Sequence, residues 1–135
     1  PLDGSEPRSK IHQTDRVTQP LLQECADLFI THGGYNSIRE AVRTATPMAV
    51  IPNFGDQPHN ARRVAELGLG RHLTGAPDPD TLADACRLIL DDRAMTARLR
   101  AARLAMLSLP DLAQAPADLA EIVTGHRLVP PRVPA

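Results

Sequence analysis

The stretch Leu28-Phe29-Ile30-Thr31-His32-Gly33-Gly34-Tyr35-Asn36-Ser37-Ile38 decides how this chain is read. It opens as an apolar run, and beyond it Ile38, Ala41, Val42 and Ala45 recur at helical spacing. The hexapeptide His32 to Ser37 therefore stands where a strand ends and a helix begins. Such a junction gathers unpaired backbone N–H groups at the positive end of a helix dipole, which suits an anion such as a phosphate. The two glycines let the main chain approach a ligand closely and reach φ values closed to other residues. His32, Asn36 and Ser37 add side-chain donors on the same side. The plainer alternative is a tight turn with Ser37 or Asn36 capping the helix.

A second unit of the same form follows. The helix over Tyr35 to Thr44 stops before Thr46-Pro47, because a residue preceding proline is biased out of the helical region. Met48 to Ile51, bounded by Pro47 and Pro52, reads as a buried strand. Asn53-Phe54-Gly55-Asp56 is the loop at its C-terminal end. Gln57 to Leu67 is then a helix, with Ala61, Val64 and Ala65 toward the core and Gly68 at its C-cap. Leu69 to Leu73 reads as a third short strand.

Upstream, Ile11 to Val17 is expected to hold a short extended segment. Pro20 to Cys25 fits a short helix with Pro in its first turn, and Asp27 to Thr31 a buried parallel strand. Downstream of the turn-rich Gly75 to Pro79, three helices carry one-sided apolar stripes. These are Leu82, Cys86 and Ile89; Met95, Leu99, Ala102 and Met106; and Leu112, Leu119, Ile122 and Val123. All three stripes read as packing faces. The alternation of strand and helix predicts an α/β fold with a parallel sheet and flanking helices. In such sheets ligands bind beyond the C-terminal strand ends, where both loops lie.

Composition narrows the function classes. The chain has 135 residues, 42% of them hydrophobic, which is one domain's worth of core. Its 15 basic and 16 acidic residues leave a net charge of -1. Phe29, Tyr35 and Phe54 are the aromatics. With no basic excess and no stacking platform, a nucleic-acid partner is not expected. No apolar stretch approaches the roughly 20 residues that span a membrane, and no signal-peptide core opens the chain, so the expected location is cytoplasmic. Cys25 and Cys86, far apart and without a CxxC, read as small buried apolar residues. The near-exclusive use of Arg over Lys, with abundant Ala, points to a GC-rich bacterial coding sequence.

The chemistry assigned to the loops follows from residue types. There is no Walker-type lysine and no paired acidic cluster for Mg²⁺, so neither a metal nor another cofactor is expected. A diphosphate would be held by backbone N–H groups, hydroxyl and amide donors, and the His32 imidazole. Glu40, a turn into the helix, reads either as an exposed first-turn acid favouring the dipole or as an acceptor for a ribose hydroxyl. Asp56 and Gln57 read either as an N-cap and first helical residue or as a carboxylate–amide pair for vicinal sugar hydroxyls. His12, His59, His72 and His126 show no metal-ligand spacing, and no GxSxG nucleophile elbow occurs.

Taken together, Val17-Thr18-Gln19, His32-Gly33-Gly34-Tyr35-Asn36-Ser37, Glu40, Pro47, Pro52, Asp56-Gln57, Asn60-Ala61-Arg62-Arg63-Val64 and Glu66-Leu67-Gly68-Leu69-Gly70-Arg71 resemble the donor-binding half of the UDP-glycosyltransferase family. That family has the GT-B fold and includes bacterial macrolide and natural-product glycosyltransferases. The resemblance is specific from about Arg16 to Gly75 and looser to about Gly125. It implies a Rossmann-like parallel sheet with flanking helices, the partial C-terminal domain of a GT-B fold.

The resemblance also implies roles. Gln19 would lie near the nucleotide base, and His32, Gly33, Gly34, Asn36 and Ser37 would cradle the diphosphate. Glu40 would accept from the ribose, and Asp56 and Gln57 would hold the transferred sugar. The expected ligand is a nucleoside-diphosphate sugar, UDP- or dTDP-linked. Arg16-Val17-Thr18 replaces the aromatic and proline that often precede the glutamine, so stacking on the base would fall to Arg16 or be lost. The domain that binds a small-molecule acceptor and supplies the catalytic base is absent from these residues, so no catalytic residue is assigned. The expected organisation is an N-terminal loop or domain remnant over 1–15, a donor-binding domain over 16–125 and a Pro-rich tail over 126–135. The competing expectation is a non-catalytic half-domain serving as an interaction or regulatory partner. A second copy or another subunit would then cover the exposed sheet edge.

Overall fold

The computed structural model describes residues 12–110 and 115–123. The expected N-terminal loop thus falls mostly, and the Pro-rich tail wholly, outside the described residues. The order is α1 Gln19–Cys25, β1 Phe29–Thr31, α2 Tyr35–Thr44, β2 Met48–Val50, α3 Gln57–Glu66, β3 Gly70–His72, α4 Pro79–Leu90, α5 Arg93–Leu107 and α6 Ala115–Val123. The three strands form a parallel sheet in the order β1-β2-β3. Phe29, Ile30 and Thr31 face Met48, Ala49 and Val50, which in turn face Gly70, Arg71 and His72. The expected mixed α/β layer with parallel strands is what the chain forms.

The central strand organises the core. Met48, Ala49 and Val50 are wholly buried, and Ala41, Ala61, Val64, Leu69, Ile89, Met95 and Leu99 close around them. Helix α5 packs on α2, α3 on β3, and α4 on β2 and β3, while α1 leans on α2. Gly68, at φ +62°, ends α3. Its N–H reaches the Ala65 carbonyl and the Leu69 N–H reaches Val64, the paired bonds of a Schellman motif. Asp78 caps α4 through Thr81 N–H, and Asp92 caps α5 through Met95 N–H.

Several sequence expectations change here. Strand β1 lies at the sheet edge, so Ile30 is 48% exposed rather than buried like a central-strand residue. No strand forms over 12–18. Helix α3 buries Gln57, Ala61 and Val64, and Ala65, a further 100° around, is exposed. Cys25 is exposed, because α1 buries only its Gln23 face, and Cys86 on α4 is half-buried, beside the buried Ala85 and Ile89 of that helix. Of the α4 and α5 stripes, Ile89, Met95 and Leu99 are buried and Leu82, Cys86, Ala102 and Met106 half-buried, but on α6 Leu119, Ile122 and Val123 are exposed; Leu112 lies outside the described residues. Among the described residues no helix is long and apolar enough to cross a membrane.

Candidate functional site

Strands β1 and β2 deliver their following loops to one rim of the sheet. Beyond β1 the chain turns sharply at Gly33, at φ +84°, and its N–H is donated to Thr31 Oγ1 at 3.2 Å. A Cβ there would strike the Val50 side chain at 2.6 Å. Gly33 therefore gives the turn its shape, while its own N–H is already engaged. Gly34 is the N-cap of α2, with ordinary extended angles and no side-chain cap. Neither Asn36 nor Ser37 caps the helix, so the first-turn N–H groups of Tyr35, Asn36 and Ser37 have no capping partner. The His32 imidazole is exposed and lies over Gly34: a Cβ on that glycine would stand 2.7 Å from His32 Nε2. Imidazole and uncapped helix end thus face solvent together, an arrangement that favours an anion.

Three predicted residues meet beside this turn. Gln19 Nε2 donates to Glu40 Oε2 at 2.6 Å and lies 3.4 Å from Ser37 Oγ. Glu40 is in the second turn of α2, too deep for the first-turn dipole role, and the bond to Gln19 fixes its carboxylate. Gln19, His32, Ser37 and Asn53 share the walls of an open cleft of about 420 Å³, floored by Thr31 and Ile51. Asn36 is exposed at the helix start next to it.

The second loop closes on the first. Asp56 is the N-cap of α3 but does not cap it with its side chain. Instead Asn60 Nδ2 donates to Asp56 Oδ2 at 2.8 Å and to the Gly33 carbonyl at 3.0 Å. Gln57 is buried, and its Oε1 accepts from Asn53 N–H at 2.9 Å and Phe54 N–H at 3.1 Å. Bracing that loop occupies its carbonyl and leaves Nε2 as the group it can offer a ligand. The two loops therefore meet at one rim, joined through Asn60, a residue quoted above only within a resemblance and given no role. Thr31, the polar end of an apolar strand, was also passed over; a hydroxyl two residues before a glycine turn was its signal.

Among the described residues no group of three His, Cys, Asp or Glu side chains is placed to hold a metal ion. A larger hollow of about 660 Å³ lies beside β3, lined by Arg71, Asp84 and Arg98 among others. Its acids are already paired, Asp84 with Arg87 and Asp92 with Arg98, and no predicted site residue reaches it.

Comparison with known proteins gives a consistent picture. Residues 8–124 match the family described as "Erythromycin biosynthesis protein CIII-like, C-terminal domain". The chain is 47% identical over 73 residues to NDP-glycosyltransferase YjiC of Bacillus licheniformis, covering 54% of this chain and 17% of that protein. It is 36% identical over 129 residues to glycosyltransferase GtfE of Amycolatopsis orientalis, covering 95% and 30%. The structure of the glycotransferase of kitacinnamycin superposes with a TM-score of 0.77 at 33% identity, covering 90% of this chain and 32% of that one. The chain thus spans about a sixth to a third of the length of these relatives.

Proposed function

The chain belongs to the erythromycin biosynthesis protein CIII-like C-terminal domain family of glycosyltransferases, and from that premise we propose that it binds the donor in transfer of a hexose from a nucleoside-diphosphate sugar to an acceptor hydroxyl. One observation carries the reading: the turn after β1 at His32 and Gly33 and the loop before α3 at Asp56 and Gln57 lie on the same rim, tied by Asn60. The diphosphate would rest against the His32 imidazole and the N–H groups of Tyr35, Asn36 and Ser37. The ribose would lie over Glu40, whose Oε1 accepts while Gln19 holds Oε2. Gln19 would also border the base.

The proposed chemistry is direct displacement with inversion. The acceptor oxygen attacks the anomeric carbon, and the bond from that carbon to the β-phosphate oxygen breaks. The diphosphate leaves with the electron pair, its charge stabilised where the helix dipole and imidazole already point. The acceptor proton passes to a base that none of the residues described here provides; we place it in the acceptor-binding portion of such a transferase. Each hydrogen bond to a charged oxygen contributes about 1.5–3 kcal/mol, and the helix end about 0.3–1 kcal/mol. Four or five such contacts, offset by ordering costs, lead to micromolar-class affinity.

Calorimetric titration with UDP- and dTDP-sugars tests this. Saturable binding that is lost in His32→Ala is expected, and no binding by the folded wild-type chain refutes the reading. The exposed Ile30 on edge strand β1 favours a second reading, an interaction half-domain covered by another chain. A stable oligomer in light scattering, without nucleotide-sugar affinity, would select it.

A further inference from the structure

The carboxamide of Asn60 has one nitrogen with two hydrogens, and both are used across the rim. One goes to the Gly33 carbonyl at 3.0 Å, 27 residues away in sequence, and the other to Asp56 Oδ2 at 2.8 Å. The Asp56 carboxylate is exposed, serves no cap, and has no ion pair to orient it among the described residues. On its own such a side chain would sample several rotamers. We propose that Asn60 is a positioning residue: it sets the distance between the diphosphate turn and the Asp56 oxygen that accepts from the transferred sugar, and so makes the site selective for the sugar-bearing nucleotide over the bare nucleotide.

The geometry supports this in three ways. Asn60 is half-buried on the first turns of α3, and its backbone N–H is itself fixed to the Asp56 carbonyl at 3.0 Å. The carbonyl it grips belongs to Gly33, at φ +84°, where an added Cβ would stand 2.6 Å from the Val50 side chain. With Oδ2 engaged, Asp56 presents Oδ1 as its free acceptor, at a spacing fixed by Asn60 rather than by the mobility of an exposed loop. The diphosphate contacts at His32 and the α2 N-terminus involve no atom of Asn60. Losing Asn60 should therefore affect the sugar and spare the nucleotide.

This inference rests on the donor-binding reading, and the experiment separates the two. Affinities for UDP and UDP-glucose, and for dTDP and dTDP-glucose, are measured by calorimetry on the wild type, Asn60→Asp, Asn60→Ser and Asp56→Ala. The isosteric Asn60→Asp removes both donors, and Asn60→Ser removes them without adding charge, so a failure of one variant to fold leaves the other. In the wild type the sugar nucleotide should bind about tenfold or more tighter than the bare nucleotide, the scale of one bond to a charged acceptor. Both Asn60 variants should lose that ratio as fully as Asp56→Ala does, and in Asn60→Ser, which adds no charge, bare-nucleotide affinity should stay within about twofold of wild type. A retained ratio in a folded Asn60 variant overturns the positioning role. So does an equal loss for nucleotide and sugar nucleotide, which would mark Asn60 as merely structural. A wild type that binds neither nucleotide nor sugar nucleotide overturns the donor-binding reading itself.

Discussion

Substituting Gly34 with alanine isolates the imidazole from everything around it. Gly34 sits at φ -63° and ψ 144°, angles that alanine adopts freely, so no backbone strain is introduced. The added Cβ would stand 2.7 Å from His32 Nε2, and the exposed ring must swing away. Alanine lowers the entropy of the unfolded chain, which stabilises by about 0.4–1 kcal/mol, but it is a poorer N-cap than glycine by a similar amount. Folding stability should therefore change by less than about 0.5 kcal/mol, read from urea unfolding. Binding should change far more. On the proposed placement of the donor, displacing the imidazole removes one bond to a charged diphosphate oxygen, about 1.5–3 kcal/mol, or roughly 10–150-fold in the dissociation constant for UDP. A double-mutant cycle with His32→Ala closes the argument. If Gly34→Ala acts through the ring, it should weaken binding in the wild-type background and do nothing once His32 is alanine. Equal weakening in both backgrounds, or none in either, refutes the placement of the imidazole on the diphosphate.

Other substitutions test the scaffold. Ala45, just past α2, is the one described non-glycine residue at positive φ, +57°. Ala45→Gly should raise stability by up to about 1 kcal/mol, relief of left-handed strain offset by backbone entropy and a lost methyl, and a lower urea midpoint would contradict this. Thr46 is buried, and its hydroxyl donates to the Gln23 carbonyl at 2.9 Å. Thr46→Val should cost about 1–3 kcal/mol and speed amide exchange in α1, because the Gln23 carbonyl loses its side-chain donor and keeps only the longer bond from Ala26 N–H at 3.3 Å. Asp78 accepts from Thr81 N–H and Oγ1, and these bonds hold its carboxyl below the ordinary aspartate pKa. A carboxylate whose pKa falls on folding stabilises the fold above the unfolded-state value and loses that contribution as pH drops through the folded one. Thermal melts of Asp78→Ala should thus show a shallower acid-side loss below about pH 4 than the wild type does.

The bounds of α2, Tyr35 to Thr44, were legible because both ends are set by neighbours in sequence: a glycine turn before and Thr46-Pro47 after. The same holds for β2 between two prolines and for α3 closed by Gly68. Periodicity and punctuation act over a few residues, so one chain read in order contains them. The placement of both loops at the C-terminal strand ends was likewise implicit in the strand–helix alternation.

What the tertiary structure decided depends on residues distant in the chain. That β1 is an edge strand, leaving Ile30 exposed, is a property of the sheet order and not of an apolar run. That Gln57 braces its own loop, and that Gln19 reaches Glu40 21 residues away, are side-chain directions chosen only once helices have docked. The bridge from Asn60 to Gly33 spans 27 residues and exists because two parallel strands, in register, bring their exits side by side. Local patterning therefore determined the elements and the rim; packing across the sheet determined which polar atoms are spent on holding that rim together and which remain free for a ligand.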